Sequence, residues 1–187
     1  MRKLIESTFV TLDGIIADTV PSTAPSASPE KWGSPYWDDE HFQYAHDLLF
    51  ASDALLLGRV TYEGFVASWP SRTGDFADRI NGLPKYVASR TLTEPLDWNA
   101  TLLGKDTAGD VAMLKQQTGG HILKYGTGAL DRLLLQHNLV DEFHLWIFPV
   151  IVGGGQRLFD GIDTTHLELV ETKRFASGII VLIYTSK

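Results

Sequence analysis

At 187 residues the chain is long enough for one well-packed domain and short for two. A hydrophobic share of 44%, a charged share of 21% and the absence of cysteine exclude disulfides, thiolate metal sites and thiol catalysis, and make the cytosol the expected compartment. A net charge of -7 opposes a broad electrostatic grip on nucleic acid, while leaving room for a local basic pocket around one phosphate.

Residues 3–12 are rich in β-formers (Leu4, Ile5, Thr8, Phe9, Val10) and read as a buried strand that stops at the Asp13-Gly14 turn. The opening Met1-Arg2-Lys3-Leu4-Ile5-Glu6 meets an acid before any apolar core develops, so no signal peptide is expected, and no apolar run reaches membrane-spanning length. Residues 19–35 carry Pro21, Pro25, Pro29 and Pro35 among Ser, Thr and Ala, which predicts a loop over a site. Residues 38–52 read as a helix with acids in its first turn and Phe42, Ala45, Leu48 and Leu49 at helical spacing. A short strand at 54–57 ends at Gly58, and a helix at 61–68 ends at Trp69-Pro70. Strands at 85–88 and 101–103 precede a helix at 106–117, broken by Gly119-Gly120. A strand at 121–124 then leads to a helix at 129–137, with Leu130, Leu133 and Leu134 inward. A long apolar strand at 143–152 and an antiparallel pair at 167–174 and 179–184 complete the chain.

Strands alternating with helices predict an α/β fold with a mostly parallel sheet, and the last pair predicts an antiparallel C-terminal edge. No repeat or boundary divides the chain, so residues 1–187 are expected to form one domain.

Ligands of such sheets bind beyond the carboxyl ends of the strands, and three turns fall there. In Leu57-Gly58-Arg59-Val60-Thr61 a glycine turn opens a helix, so Arg59 and Thr61 lie near unpaired amides that suit a phosphate. Tyr125-Gly126-Thr127-Gly128 repeats the strand, turn and helix, with glycines that admit a pyrophosphate and a hydroxyl on Thr127. Ser89 and Arg90 follow a third strand and suit a ribose 2′-phosphate. Each turn has a plain structural explanation, and their agreement in position is the stronger argument. Asp13 and Asp38 are candidate proton donors beside a heterocycle; turn formation and helix capping explain them equally well. Gly153-Gly154-Gly155 precedes too short a segment for a dinucleotide motif and reads as a flexible turn near the site. His41 and His46 do not share a helical face, no His-Glu-x-x-His occurs, and no metal is expected.

The order and spacing of Thr11-Leu12-Asp13-Gly14, Leu57-Gly58-Arg59-Val60-Thr61-Tyr62-Glu63, Lys85-Tyr86-Val87-Ala88-Ser89-Arg90, Gly126-Thr127-Gly128, Leu139-Val140-Asp141-Glu142, Pro149-Val150-Ile151-Val152-Gly153-Gly154-Gly155 and Leu158-Phe159 resemble the dihydrofolate-reductase-like superfamily. The chain is most similar to the branch that holds the reductase domain (RibD C-terminal domain) of the bifunctional riboflavin-biosynthesis deaminase-reductase. The resemblance covers nearly the whole chain. It implies a three-layer fold and an NADPH-dependent reductase acting on a small pyrimidine or pterin-type heterocycle, such as a 5-amino-6-(5-phosphoribosylamino)uracil-like compound. It also implies that Gly58, Arg59 and Thr61 with Ser89 and Arg90 hold the adenosine end and its 2′-phosphate. Gly126, Thr127 and Gly128 would cradle the pyrophosphate, and residues 19–35 would close over the nicotinamide. Subunits pair in that branch, so a homodimer is expected, with residues 143–148 as a suitable contact. Dihydrofolate reduction proper and NADP binding without turnover are the alternatives.

Overall fold

The computed structural model describes residues 1–17 and 32–187. Its strands are β1 (Leu4–Thr11), β2 (Ile15–Ala17), β3 (Ser52–Gly58), β4 (Lys85–Ala88), β5 (Ala100–Leu102), β6 (His121–Tyr125), β7 (Glu142–Phe148), β8 (Gln156–Arg157), β9 (Leu167–Arg174) and β10 (Ile180–Ser186). Its α-helices are α1 (Asp39–Phe50), α2 (Arg59–Ser68), α3 (Asp75–Gly82), α4 (Thr107–Gln116) and α5 (Ala129–Gln136). Eight strands form one sheet in the order β5-β4-β3-β6-β1-β7-β10-β9, and β2 pairs with β8 in a separate ribbon. The strands from β5 to β7 run parallel, and β10 and β9 add the antiparallel edge.

Helices cover both sheet faces because the central strands are apolar on both sides. Leu4, Leu56, Ile122, Phe143 and Leu145 pack with Val111 and Leu114 of α4 and Leu134 of α5. On the opposite face Ile5, Leu55, Leu57, Val87 and Leu123 pack with Leu48 and Leu49 of α1, Tyr62 of α2 and Ile80 of α3. A third cluster on Trp146 and Phe148 joins Trp32, Phe175, Ile179, Val181 and Ile183, with Tyr44 and Ala45 of α1 against it. The result is a three-layer α/β fold of the dihydrofolate-reductase-like kind.

Several expectations change in detail. The helix of residues 75–82 has no counterpart in the predicted elements: its sequence, Asp-Phe-Ala-Asp-Arg-Ile-Asn-Gly, is short and mostly polar, and its apolar face rests on Phe76, Ala77 and Ile80 alone. The apolar run at 143–152 ends as a strand at Phe148, before Pro149. That strand does not offer a dimer contact. β7 lies between β1 and β10, and Phe143, Leu145, Trp146 and Phe148 are spent in the chain's own core. The loop expected at 19–35 falls mostly outside the described residues, and its last part is ordered as a 3₁₀ turn at Ser34–Tyr36 with Pro35 at its start.

Candidate functional site

The carboxyl ends of β4, β3, β6 and β1 stand side by side on one edge of the sheet. Leu57 of β3 pairs with Val87 of β4 on one side and with Tyr125 of β6 on the other. The turns starting at Gly58, Ser89 and Gly126 therefore leave the sheet within one residue of a common level. Two inter-strand spacings, roughly 10 Å, separate the outer two. The β6 turn also touches α2: Gly126 has φ +73°, and a Cβ built on it would overlap Thr61 Oγ1. Glycine is needed there both for the backbone and for the close approach.

The start of α2 is open to an anion. Its N-cap, Gly58, has no side chain to bond the first amides. At α1 and α4 the carboxylates of Asp38 and Asp106 already take those amides. Arg59 begins α2 and pairs with Glu63 one turn on, at 2.8 Å and in the open. Ser89 Oγ accepts the amides of Thr91 (3.1 Å) and Leu92 (3.0 Å), which fixes the turn and leaves the hydroxyl proton to donate. Arg90 is exposed and makes no ion pair among the described residues. Thr127 Oγ1 is buried without a hydrogen-bond partner. Beside it a cavity of about 250 Å³ opens at the start of α5, its lining including Thr127, Gly128, the cations Arg132 and Arg157 and the acids Asp131 and Asp160.

Asp13 and Asp38 reach the same end of the molecule, but both act as acceptors of backbone amides. Asp13 takes the Thr11 hydroxyl at 2.5 Å, the Gly153 amide at 2.8 Å and the Val152 amide at 3.3 Å. The Thr11 hydroxyl and these amides lower its pKa. The triple glycine is consequently tied to the end of β1, where a flexible turn was expected. Asp38 takes the His41 amide at 2.8 Å and the Ser177 amide at 3.1 Å, and the first of these lowers its pKa. A carboxylate stabilised in its charged form is a poor proton donor, and this opposes the catalytic part expected of either residue.

His41 is the functional candidate that sequence reasoning set aside. Its ring is 4% exposed, stacks on Phe42 at 5.1 Å, and meets Phe9, Trp37 and Trp146 edge-on at 5.1–5.8 Å. Burial lowers the imidazole pKa and keeps the ring neutral, and Nδ1 is buried without a partner. Phe9 and Phe148 lie near the carboxyl ends of β1 and β7, so this aromatic wall flanks the same edge as the three turns. The run Trp37, His41, Phe42 was the signal in the sequence, an aromatic-rich first turn following a proline-rich segment.

Among the described residues no group of three His, Asp or Glu side chains is placed to hold a metal ion. No helix among them is long and apolar enough to cross a membrane.

Comparison with known proteins agrees with this architecture. The chain is 30% identical to the uncharacterized protein YyaP of Bacillus subtilis (strain 168), over 98% of this chain and 94% of that one. It is 28% identical to the uncharacterized protein YwjB of the same organism, over 95% of each. Among solved structures, a protein from Shewanella sp. PV-4 superposes with a TM-score of 0.70 at 21% identity, covering 99% of both chains. A pyrimidine reductase-like protein from Corynebacterium diphtheriae NCTC gives 0.65 at 15% identity, over 100% of this chain and 92% of that one. A diaminohydroxyphosphoribosylaminopyrimidine deaminase/5-amino-6-(5-phosphoribosylamino)uracil reductase from Thermotoga maritima gives 0.67 at 16% identity, over 100% of this chain and 57% of that one. These structures share the fold. The model of the RibD C-terminal domain matches residues 2–181, and the chain belongs to that family.

Proposed function

We propose that the protein is an NADPH-dependent reductase that passes a hydride to a small heterocycle of pyrimidine or pterin type. The observation that carries this reading is the common level of the Gly58, Ser89 and Gly126 turns on three adjacent parallel strands. In it, Arg59 and Thr61 at the uncapped start of α2, with Ser89 and Arg90, take the adenosine end and its 2′-phosphate. Gly126, Thr127 and Gly128 take the diphosphate, for which the unpartnered Thr127 hydroxyl and the adjoining cavity are suited. NADPH, when bound, supplies the hydride; the chain's part is to orient it and exclude water. The substrate ring lies against Phe9 and Phe148, where neutral His41 offers Nδ1 as a hydrogen-bond partner. Reduction of a C=N bond also needs a proton at nitrogen, and water serves better as its source than Asp13 or Asp38, whose oxygens are engaged.

The family favours a riboflavin-pathway pyrimidine reductase type of activity, with a 5-amino-6-(5-phosphoribosylamino)uracil-like compound as the first substrate to try. Unfolding in the presence of NADP⁺ tests the binding half: at a hundred times its Kd the ligand should add about 2.7 kcal/mol. Arg59→Ala should lose preference for NADP⁺ over NAD⁺, and an unchanged ratio would refute the placement of the 2′-phosphate. Stopped-flow transfer from NADPH to the pyrimidine tests the chemical half. Binding without transfer to any pyrimidine or pterin would favour a nucleotide-binding protein without turnover, and transfer to dihydrofolate with antifolate inhibition would favour dihydrofolate reductase proper. For the expected homodimer, β9 at the sheet edge is the available surface, with Leu169 and Val170 exposed; sedimentation of Val170→Lys tests it.

A further inference from the structure

Under the turn after β6 lies a cluster of charge fully enclosed by the chain. Glu6 of β1 and Lys124 of β6 are neighbours in the sheet register. Glu6, Lys124 and Asp131 of α5 are each at most 1% exposed. Lys124 Nζ stands 2.5 Å from Asp131 Oδ1 and 3.6 Å from Glu6 Oε2, and it donates to the Gly126 carbonyl at 2.5 Å. The Gly128 amide donates to Asp131 Oδ2 at 2.5 Å. The turn and the ion pair thus form a closed ring: Lys124 holds the entry to the turn, Asp131 holds its exit, and the two hold each other.

We propose that Lys124 and Asp131 are positioning residues that fix the Gly126–Gly128 turn from both ends as a seat for a diphosphate. The proposal rests on the cofactor reading of that turn given above. Two glycines around one threonine leave the backbone free to turn its peptide planes either way. A carbonyl facing the ligand would repel a phosphate, and Lys124 prevents this by drawing the Gly126 oxygen into the core. Asp131 takes the Gly128 amide, so Thr127 stands at the apex between two anchored peptides. Because the anchors are charge-assisted and dry, water does not compete for them.

Glu6 is the third member of the cluster, and its burial favours the uncharged form. Burial pushes its carboxyl pKa well up, and neither oxygen has a hydrogen-bond partner in the structure. One cation and one anion then balance under the turn. An ionised Glu6 would compete with Asp131 for the ammonium and add negative charge near a diphosphate.

The test is calorimetric titration of wild type, Asp131→Asn and Glu6→Gln with NADP⁺ and with adenosine 2′-monophosphate, which carries neither phosphate of the diphosphate bridge. Asp131→Asn should lose about tenfold or more for NADP⁺ while holding the monophosphate within about twofold. Glu6→Gln, an isostere of the neutral acid, should match wild type for both. The double variant Lys124→Met/Asp131→Leu replaces the pair by apolar groups without leaving a lone charge. It should show the same selective loss, which secures the result should Asp131→Asn fold poorly. No loss, or an equal loss of both ligands, overturns the positioning role. Failure of wild type to bind either ligand overturns the cofactor reading itself.

Discussion

At the amino ends of the central strands, Arg2 donates Nε to the Gly120 carbonyl at 2.9 Å and pairs with Asp53, whose second oxygen takes the Gly120 amide at 2.7 Å. Lys115 stands 2.6 Å from both the Leu139 carbonyl and Asp141, which also accepts the Leu4 amide at 2.7 Å. Toward the carboxyl ends the pattern differs: Thr127 Oγ1 and His41 Nδ1 are buried with no hydrogen-bond partner. The amino-end groups answer one another and tie loops to strands. Those nearer the carboxyl ends are left short by the chain, and a buried polar atom without a partner is costly unless something else completes it. The first region serves the fold, and the second leaves polar atoms open where the proposed cofactor and substrate would lie.

Removing the cation from each region gives the largest contrast. Lys124→Met leaves Asp131 in full burial without a counter-ion and should cost about 3–5 kcal/mol in urea unfolding. Arg2→Met should cost less, about 1–2 kcal/mol, because the Asp53 side chain is 39% exposed and can turn to water. Equal losses would mean that the two regions bury charge in the same way.

The next contrast lies within the β6 turn. Gly126→Ala adds a Cβ at φ +73° that overlaps Thr61 Oγ1, and should cost about 2 kcal/mol. Gly128 has extended φ and nothing within 4 Å of a built Cβ, so Gly128→Ala should stay within about 0.5 kcal/mol. Thr61→Ala combined with Gly126→Ala should recover the overlap but not the backbone strain. The coupling measured in that double-mutant cycle reports whether the β6 turn and α2 really meet.

The position of these turns was legible in advance, because strand ends are marked by glycine. Gly58 and Gly126 gave away their turns, and parallel alternation put both on one edge. The clamp beneath was not legible for a physical reason. Glu6 and Lys124 each look like stray charges in apolar strands, and only the register of β1 with β6 makes them neighbours. β7 misled in the opposite direction: an apolar run announces burial but does not say whether a second subunit or the chain's own β10 supplies it. The β2–β8 ribbon joins residues about 140 apart through two very short strands, which no local pattern encodes.

The last contrast is a slope, and it sets a buried acid against a half-buried one. Glu6 has a pKa raised by burial, so the folded chain keeps a proton that the unfolded chain releases above about pH 4.5. Stability is then lost as pH rises from there toward the folded value, by up to about 1.4 kcal/mol per pH unit. Glu142, at the amino end, is also raised by burial, but bonds from Lys3 at 2.6 Å and His144 at 3.2 Å outweigh this and lower its pKa. Its contribution is present above pH 4.5 and disappears as pH falls through the lowered value. Glu6→Gln should therefore match wild type in acid and gain on it with rising pH. Glu142→Gln should fall behind wild type at neutral pH and draw level in acid. Asp13 and Asp38 titrate alike in all three proteins and cancel in the differences. If both variants diverge from wild type with the same sign, Glu6 is as well provided with partners as Glu142, and the clamp under the turn carries a different charge from the one assigned to it.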